Sequence, residues 1–207
     1  RRVLFRSLGA MVFGGVAGER IQLNEDTLWS GGPYDDRNPK AGPEAVAQVR
    51  RLIDERRFAE AEALANEALI ARPAGQMSYQ TFGDLFIDMD LPGEPASYRR
   101  ELDLDRAIAT TRYAMGDTIL SRGVLASAPD RVIAVRLSAG GQPLDFTVRF
   151  ETPQDAVVRA VGHELHVEGR NHADQGVPGA LTLAALIAVE TEGGARSEEH
   201  TSELQSH

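Results

Sequence analysis

The densest chemistry in the chain lies at residues 24–33, NEDTLWSGGP, where an amide, two adjacent carboxylates and the only tryptophan precede a Gly-Gly-Pro turn. A flat ring on a loop over a rigid sheet can stack on the apolar face of a pyranose while neighbouring amides and carboxylates take its hydroxyls. Large aromatics are mostly buried, so from the residues alone the favoured reading of Trp29 is a plug at one end of a β-core. Glu25 and Asp26 are neighbours on an extended segment and point apart, so they cannot flank one scissile bond as the paired carboxylates of glycoside hydrolysis do. One of them can line a pocket while the other caps a turn. Asp88 with Asp90, and Asp103 with Asp105, share strand faces and read as the solvated sides of half-buried strands.

Other catalytic constellations find little support. His163 and His166 bracket Glu164, but an odd separation on a strand sends the rings to opposite faces, and His172 does not repair the geometry; no metal site is expected. A glycine-rich phosphate loop and a Gly-x-Ser-x-Gly nucleophile turn are both missing from the sequence, which leaves no basis for nucleotide binding or for that kind of hydrolase, and no cofactor is expected. With no cysteine, disulfides, thiolate metal sites and a cysteine nucleophile are excluded.

The elements that must position residues 24–33 are mostly strands. Residues 10–13 read as a short buried strand ending at Gly14-Gly15, and residues 19–23 return antiparallel with Ile21 and Leu23 alternating against polar neighbours. Residues 34–42 form a polar surface loop. The period then changes: Val46, Val49, Leu52 and Ile53 share one helical face, and Phe58, Ala61, Leu64, Ala65, Ala68 and Leu69 a second. Pro43 suits a first helical turn and Pro73 lies past the second helix, which predicts a helical hairpin insertion over about residues 43–71, packed on a sheet. Beyond it, strands are predicted at 85–89, 98–104, 108–113, 118–126, 132–137, 146–150, 156–161, 164–168 and 181–190. Many short strands with turn residues between them predict a mainly β, antiparallel β-sandwich in which the helix pair is an insertion, not a βαβ crossover.

Both ends require separate treatment. Residues 1–7, RRVLFRS, and 196–207, RSEEHTSELQSH, look like in-frame translations of sequencing adapters, so residues 8–195 are expected to be the natural fragment of a longer reading frame. Formal charge is −9 overall and, once four arginines and three glutamates of those ends are set aside, −10 for 8–195. That acidity, without a basic stripe interleaved with aromatics, argues against nucleic acid or an anionic membrane as partner. The longest apolar run, near 181–189, is too short and too rich in Ala and Thr to span a bilayer. Lys40 is the single lysine among many arginines, which suggests a GC-rich bacterial genome; the compartment stays open between export and the cytoplasm.

Several of these strings occur together in one family. LGAMVFGGVAGERIQLNEDTLWSGGP, the helical QVRRLIDERRFAEAEALA, SYQTFGDLFIDM, YRRELDLDRAIATTRY and GRNHADQGVPGALTLAALIAVETEGG resemble, in this order and spacing, the N-terminal domain of glycoside hydrolase family 95 α-L-fucosidases. The resemblance implies a galactose-mutarotase-like supersandwich, incomplete at its start, attached to an (α/α)6 barrel. It implies an inverting enzyme that removes terminal, often α-1,2-linked, fucose from oligosaccharides or polysaccharides, with L-galactosides as a variation. The acid and base of that chemistry belong to the barrel, so no catalytic residue is carried over to this chain. Asn24, Glu25, Trp29, Tyr79 and Gln80 are then expected at the substrate rim or at the interface with the barrel. The competing readings are a stand-alone carbohydrate-binding or structural module, and a related enzyme acting on α-glucosides.

Overall fold

A computed structural model describes residues 2–5, 7–91, 93–192, 196–198 and 203–206, with side chains described for 7–91 and 93–192. In chain order the first elements are β1 (Arg2–Phe5), β2 (Leu8–Val12) and β3 (Gly18–Glu25), then α1 (Pro43–Asp54) and α2 (Phe58–Ala68). There follow β4 (Gly83–Met89), β5 (Ala96–Asp103), β6 (Ile108–Met115), β7 (Thr118–Ser127), β8 (Val132–Ser138) and β9 (Phe146–Glu151). The last are β10 (Asp155–Val161), β11 (Glu164–Arg170), β12 (Thr182–Ala188), β13 (Arg196–Glu198) and β14 (Glu203–Ser206). They form three antiparallel sheets: β1-β2-β3-β4-β9-β14-β13, β5-β6-β7-β8 and β10-β11-β12.

The layers follow from alternation. Register places Val12 opposite Ile21, Ile21 opposite Leu85, and Leu85 opposite Phe150, so the buried side chains of β2, β3, β4 and β9 share one face. That face joins Tyr113, Leu120 and Val124 of the four-stranded sheet and Leu165, Val167 and Leu183 of the three-stranded sheet in one core cluster. Two smaller sheets covering a single face of a larger one make a sandwich, in agreement with the predicted β-architecture. The meander β5–β8 is inserted between β4 and β9, which nonetheless pair side by side. β3 and β4 likewise pair across the helical insertion.

One ion pair sits inside the apolar core. Glu19 and Arg122, 0% and 2% exposed at their side chains, bridge β3 to β7. Glu19 Oε1 accepts the Phe13 and Gly14 amides, at 3.1 and 2.8 Å, and Arg122 Nη2 donates to the Gly15 carbonyl at 2.6 Å. The pair thereby clamps the Gly14-Gly15 turn onto the opposite sheet. Nearby, burial raises the Tyr113 hydroxyl above its ordinary pKa, and that hydroxyl donates to the Val16 carbonyl at 3.3 Å.

Two expectations change. Residues 10–13 are not buried throughout: Ala10 and Val12 face the core, so strand alternation turns Met11 and Phe13 outward, where the Phe13 ring lies 4.8 Å beneath the Arg20 guanidinium. The helical hairpin does not lie down on a sheet either. No residue of α1 is buried, and α2 buries only Ala61 and Ala68. Residues 26–42 and 69–82 connect the helices to the sandwich, and at the sandwich ends of these connections Leu28 belongs to its core and Phe82 packs against that core. The terminal strands β1 and β14 pair with β2 and β9. Edge pairing uses backbone donors and acceptors alone and carries no information about the origin of those end sequences.

Candidate functional site

β3 ends at Glu25 because the next residues fold back on themselves. Glu25 Oε2 accepts the Thr27 amide at 2.9 Å and the Thr27 hydroxyl at 2.5 Å, so Glu25 is the carboxylate that caps the turn. Leu28, 2% exposed, takes the inward position. Trp29 is thereby pushed outward and is 38% exposed, not the core plug that burial statistics favour. Its backbone bridges to Tyr79, flanked by hydrogen bonds from the Ser30 amide to the Ser78 carbonyl and from the Gln80 amide to the Leu28 carbonyl, both 2.9 Å.

The two rings meet edge to face, with centroids 5.3 Å apart and planes at 63°. Their polar ends are tied to the loop beneath: Trp29 Nε1 donates to the Asp26 carbonyl at 3.0 Å and the Tyr79 hydroxyl to the Glu25 carbonyl at 3.1 Å. The parts presented to solvent are therefore apolar ring faces. A preorganised aromatic pair of this kind gives large contact area at low entropic cost.

Residues 171–181 fix the platform from behind. Asn171, 4% exposed, donates from Nδ2 to the Trp29 and Gly31 carbonyls at 2.7 and 2.6 Å and accepts the Leu181 amide at 2.9 Å. The Asp174 carboxylate accepts the Ser30 hydroxyl at 2.6 Å and the Ser78 amide at 2.9 Å. These two donors, the Ser30 hydroxyl first, hold the Asp174 carboxyl down to about 2. Gln175 reaches the Gly75 and Gln76 carbonyls at 3.0 and 3.1 Å. The glycines are required by proximity. Gly31 has φ +70°, and a Cβ on Gly179 would lie 2.1 Å from the Asn171 carbonyl oxygen.

Of the residues singled out from sequence, Glu25, Trp29 and Tyr79 are brought together directly, and Gln80 joins them through its backbone. Gln80 Oε1 is enclosed without a hydrogen-bond partner, as is Gln154 Oε1, whose Nε2 donates to the Thr81 carbonyl at 2.8 Å. Asn24 pairs with Gly9 in β3, in step with Arg20 and Gln22 on the outer face of the large sheet, one position before the platform begins. His163 lies in the β10–β11 turn, while His166 Nε2 shares a 2.9 Å hydrogen bond with Glu164. Asp88 on β4 is engaged by Arg149, but Asp90 lies beyond the end of that strand, and Asp105 lies in the turn after β5, where Asp103 accepts the Asp105 and Arg106 amides, so neither pair shares a strand face as expected. The residues that sequence reasoning missed are Ser30, Ser78, Asn171 and Asp174. Their signal was only an Asn-Asp pair in a loop bounded by Gly and Pro.

The aromatic pair offers stacking and packing, and the Asp174 carboxylate and Glu25 Oε2 serve the loops as hydrogen-bond acceptors. Comparison with known proteins finds relatives named as fucosidases. Alpha-L-fucosidase 2 of Arabidopsis thaliana is 46% identical over 151 residues, 70% of this chain and 17% of that protein. Probable alpha-fucosidase A of Aspergillus niger is 33% identical over 145 residues, 70% of this chain and 18% of that protein, and its namesake in Aspergillus oryzae is 28% identical over 145 residues, 20% of that protein. The chain thus matches about a fifth of the length of these relatives. The sequence pattern of the family described as "Glycosyl hydrolase family 65, N-terminal domain" matches residues 7–206, and the chain belongs to that family.

Proposed function

We propose that residues 8–195 are the N-terminal sandwich of an α-L-fucosidase of glycoside hydrolase family 95, whose catalytic (α/α)6 barrel lies in the remainder of the polypeptide. The observation that carries this reading is 46% identity to a protein named as an α-L-fucosidase, confined to 17% of its length. The substrate is terminal fucose, α-1,2-linked, on an oligosaccharide or polysaccharide, removed with inversion by an acid and a base on the barrel. Inversion places those two groups far enough apart to admit a water between them. The sandwich supplies the Trp29–Tyr79 platform, which lines the substrate rim or seats the barrel, and by itself it is inactive.

Recovery of the intact reading frame and assay of its product tests the substrate class. The longer protein is expected to release L-fucose from 2'-fucosyllactose with inverted anomeric configuration by NMR and to leave α-glucosides intact. Phosphorolysis or hydrolysis of an α-glucoside in place of fucoside cleavage would contradict the reading. A frame that stops soon after residue 195 would favour a stand-alone sugar-binding module, for which the exposed aromatic pair would be the contact surface.

A further inference from the structure

We propose that the α1–α2 hairpin is a docking arm for the catalytic remainder of the polypeptide, with Ile53 and Phe58 at its tip as the anchor; this rests on the reading that the chain is one part of a longer fucosidase. Helices of 12 and 11 residues are marginal alone, and they persist in proteins through the packing of an apolar face. Here that packing is incomplete. Ile53 and Phe58, at the two ends of the turn joining the helices, are 47% and 61% exposed, and the only buried side chains of the pair are two alanines. Between the helices runs an open cleft of about 410 Å³, lined by Leu52, Leu64, Arg51, Glu55, Arg57 and Glu60.

The two legs of the arm are tied to each other at its base. Asn38, 7% exposed, donates to the Glu67 and Ile70 carbonyls at 2.8 and 2.9 Å, and Lys40 pairs with Glu67. The Arg72 amide donates to the Asp36 carbonyl at 2.9 Å and Arg72 Nη2 to the Asn66 carbonyl at 3.1 Å. A projection whose base is closed on itself and whose aromatic and aliphatic tip is uncovered is the form of an anchor that fills a pocket on a partner.

The identity of the partner follows from connectivity and length. The insertion begins after Trp29 and ends before Tyr79, which pair with each other, so the arm grows out of the same end of the sandwich as the aromatic platform. Platform and arm are joined by the two connections that leave this end. About four-fifths of each relative lies outside the region this chain matches, so the longer polypeptide supplies the bulk to cover both. Interfaces between domains of one chain typically bury about 600–1,500 Å², within reach of a platform and an arm together.

Hydroxyl-radical footprinting of the longer protein, read by mass spectrometry at Ile53 and Phe58 and referred to the rate of the same residues in urea, tests the assignment. Docking predicts oxidation slowed by about fivefold or more and unchanged on dilution, because water is excluded around a seated anchor. Rates within about twofold of those in urea would overturn it, since the residues would then be as open as they are here. Protection that disappears on dilution, together with a halving of the mass by light scattering, would also overturn it and would assign the tip to a second copy. Fucose release measured on the same sample judges the enzymatic reading separately: activity without protection removes the arm alone, and protection without activity removes the fucosidase.

Discussion

Trp29 and Tyr79, one on each side of the helical insertion, bridge through their backbones and pack edge to face with centroids 5.3 Å apart. Each ring has its polar atom tied to the loop backbone below it, at Asp26 and Glu25 respectively. The platform is therefore built before any partner arrives, and its exposed parts are apolar.

Trp29 is the single tryptophan, so its fluorescence reports on the platform without ambiguity. Emission is expected between that of a buried and a free indole, with quenching by acrylamide. Replacing Asn171 with Ala removes the donor to the Trp29 carbonyl and the acceptor of the Leu181 amide, while the Gly31 carbonyl keeps the Ala180 amide; the loss is expected at about 1–3 kcal/mol and shifts the emission further to the red. An unchanged spectrum in Asn171→Ala would show that the loop is held by other means.

Gly179→Ala makes the same point through sterics. Its Cβ would meet the Asn171 carbonyl oxygen, a backbone atom that cannot rotate away, so residues 171–181 must shift. The loss is expected at about 1–3 kcal/mol, typical of overpacking, with a matching change in acrylamide quenching. Gly42→Ala, where no atom lies within 4 Å of the added carbon, is the control and should leave quenching unaltered.

The Glu19–Arg122 pair predicts a non-additive mutant cycle. Arg122→Met leaves a buried carboxylate without its cation and is expected to cost about 3–5 kcal/mol. Adding Glu19→Leu removes that charge and should recover most of the loss, less the hydrogen bonds to the Phe13 and Gly14 amides. Additive losses in denaturant titrations would mean that the two side chains act independently.

The Asp174 carboxyl, held at about 2 in the folded chain against an ordinary 3.8, gives acid sensitivity of a defined sign. Folding favours the ionised form, so its contribution is complete above the ordinary value and is lost as pH falls through about 2. The melting-temperature gap between wild type and Asp174→Asn should be largest above the ordinary carboxyl range and shrink towards pH 2. A constant gap would exclude the linkage.

The sandwich was legible because strand alternation is a local signal. Leu85, Ile87 and Met89 read as one face in the sequence and are one face in β4. The helical hairpin was legible in position, from Pro43 and the change of period, but not in what it packs against. Periodicity shows that an apolar face exists and is silent on what covers it. The same limit applied at Phe13, where a run of apolar residues concealed an alternation that turned one ring outward. At the platform, a carboxylate capping a turn was readable from residue type, but not that Glu25 and not Asp26 is that cap, nor that Leu28 takes the inward position and leaves Trp29 outside. Asn171 and Asp174 were not readable either, because their partners lie more than 90 residues away and no spacing rule connects them.

The central claim is that this chain is the supporting sandwich of a fucosidase whose chemistry resides elsewhere in the polypeptide. Its most direct measurement is fucose release from 2'-fucosyllactose by the 207-residue chain and by the longer protein from the intact locus, assayed side by side at equal concentration. The account predicts release by the longer protein and none by the chain alone; turnover by the chain alone, or none by the longer protein, would contradict it.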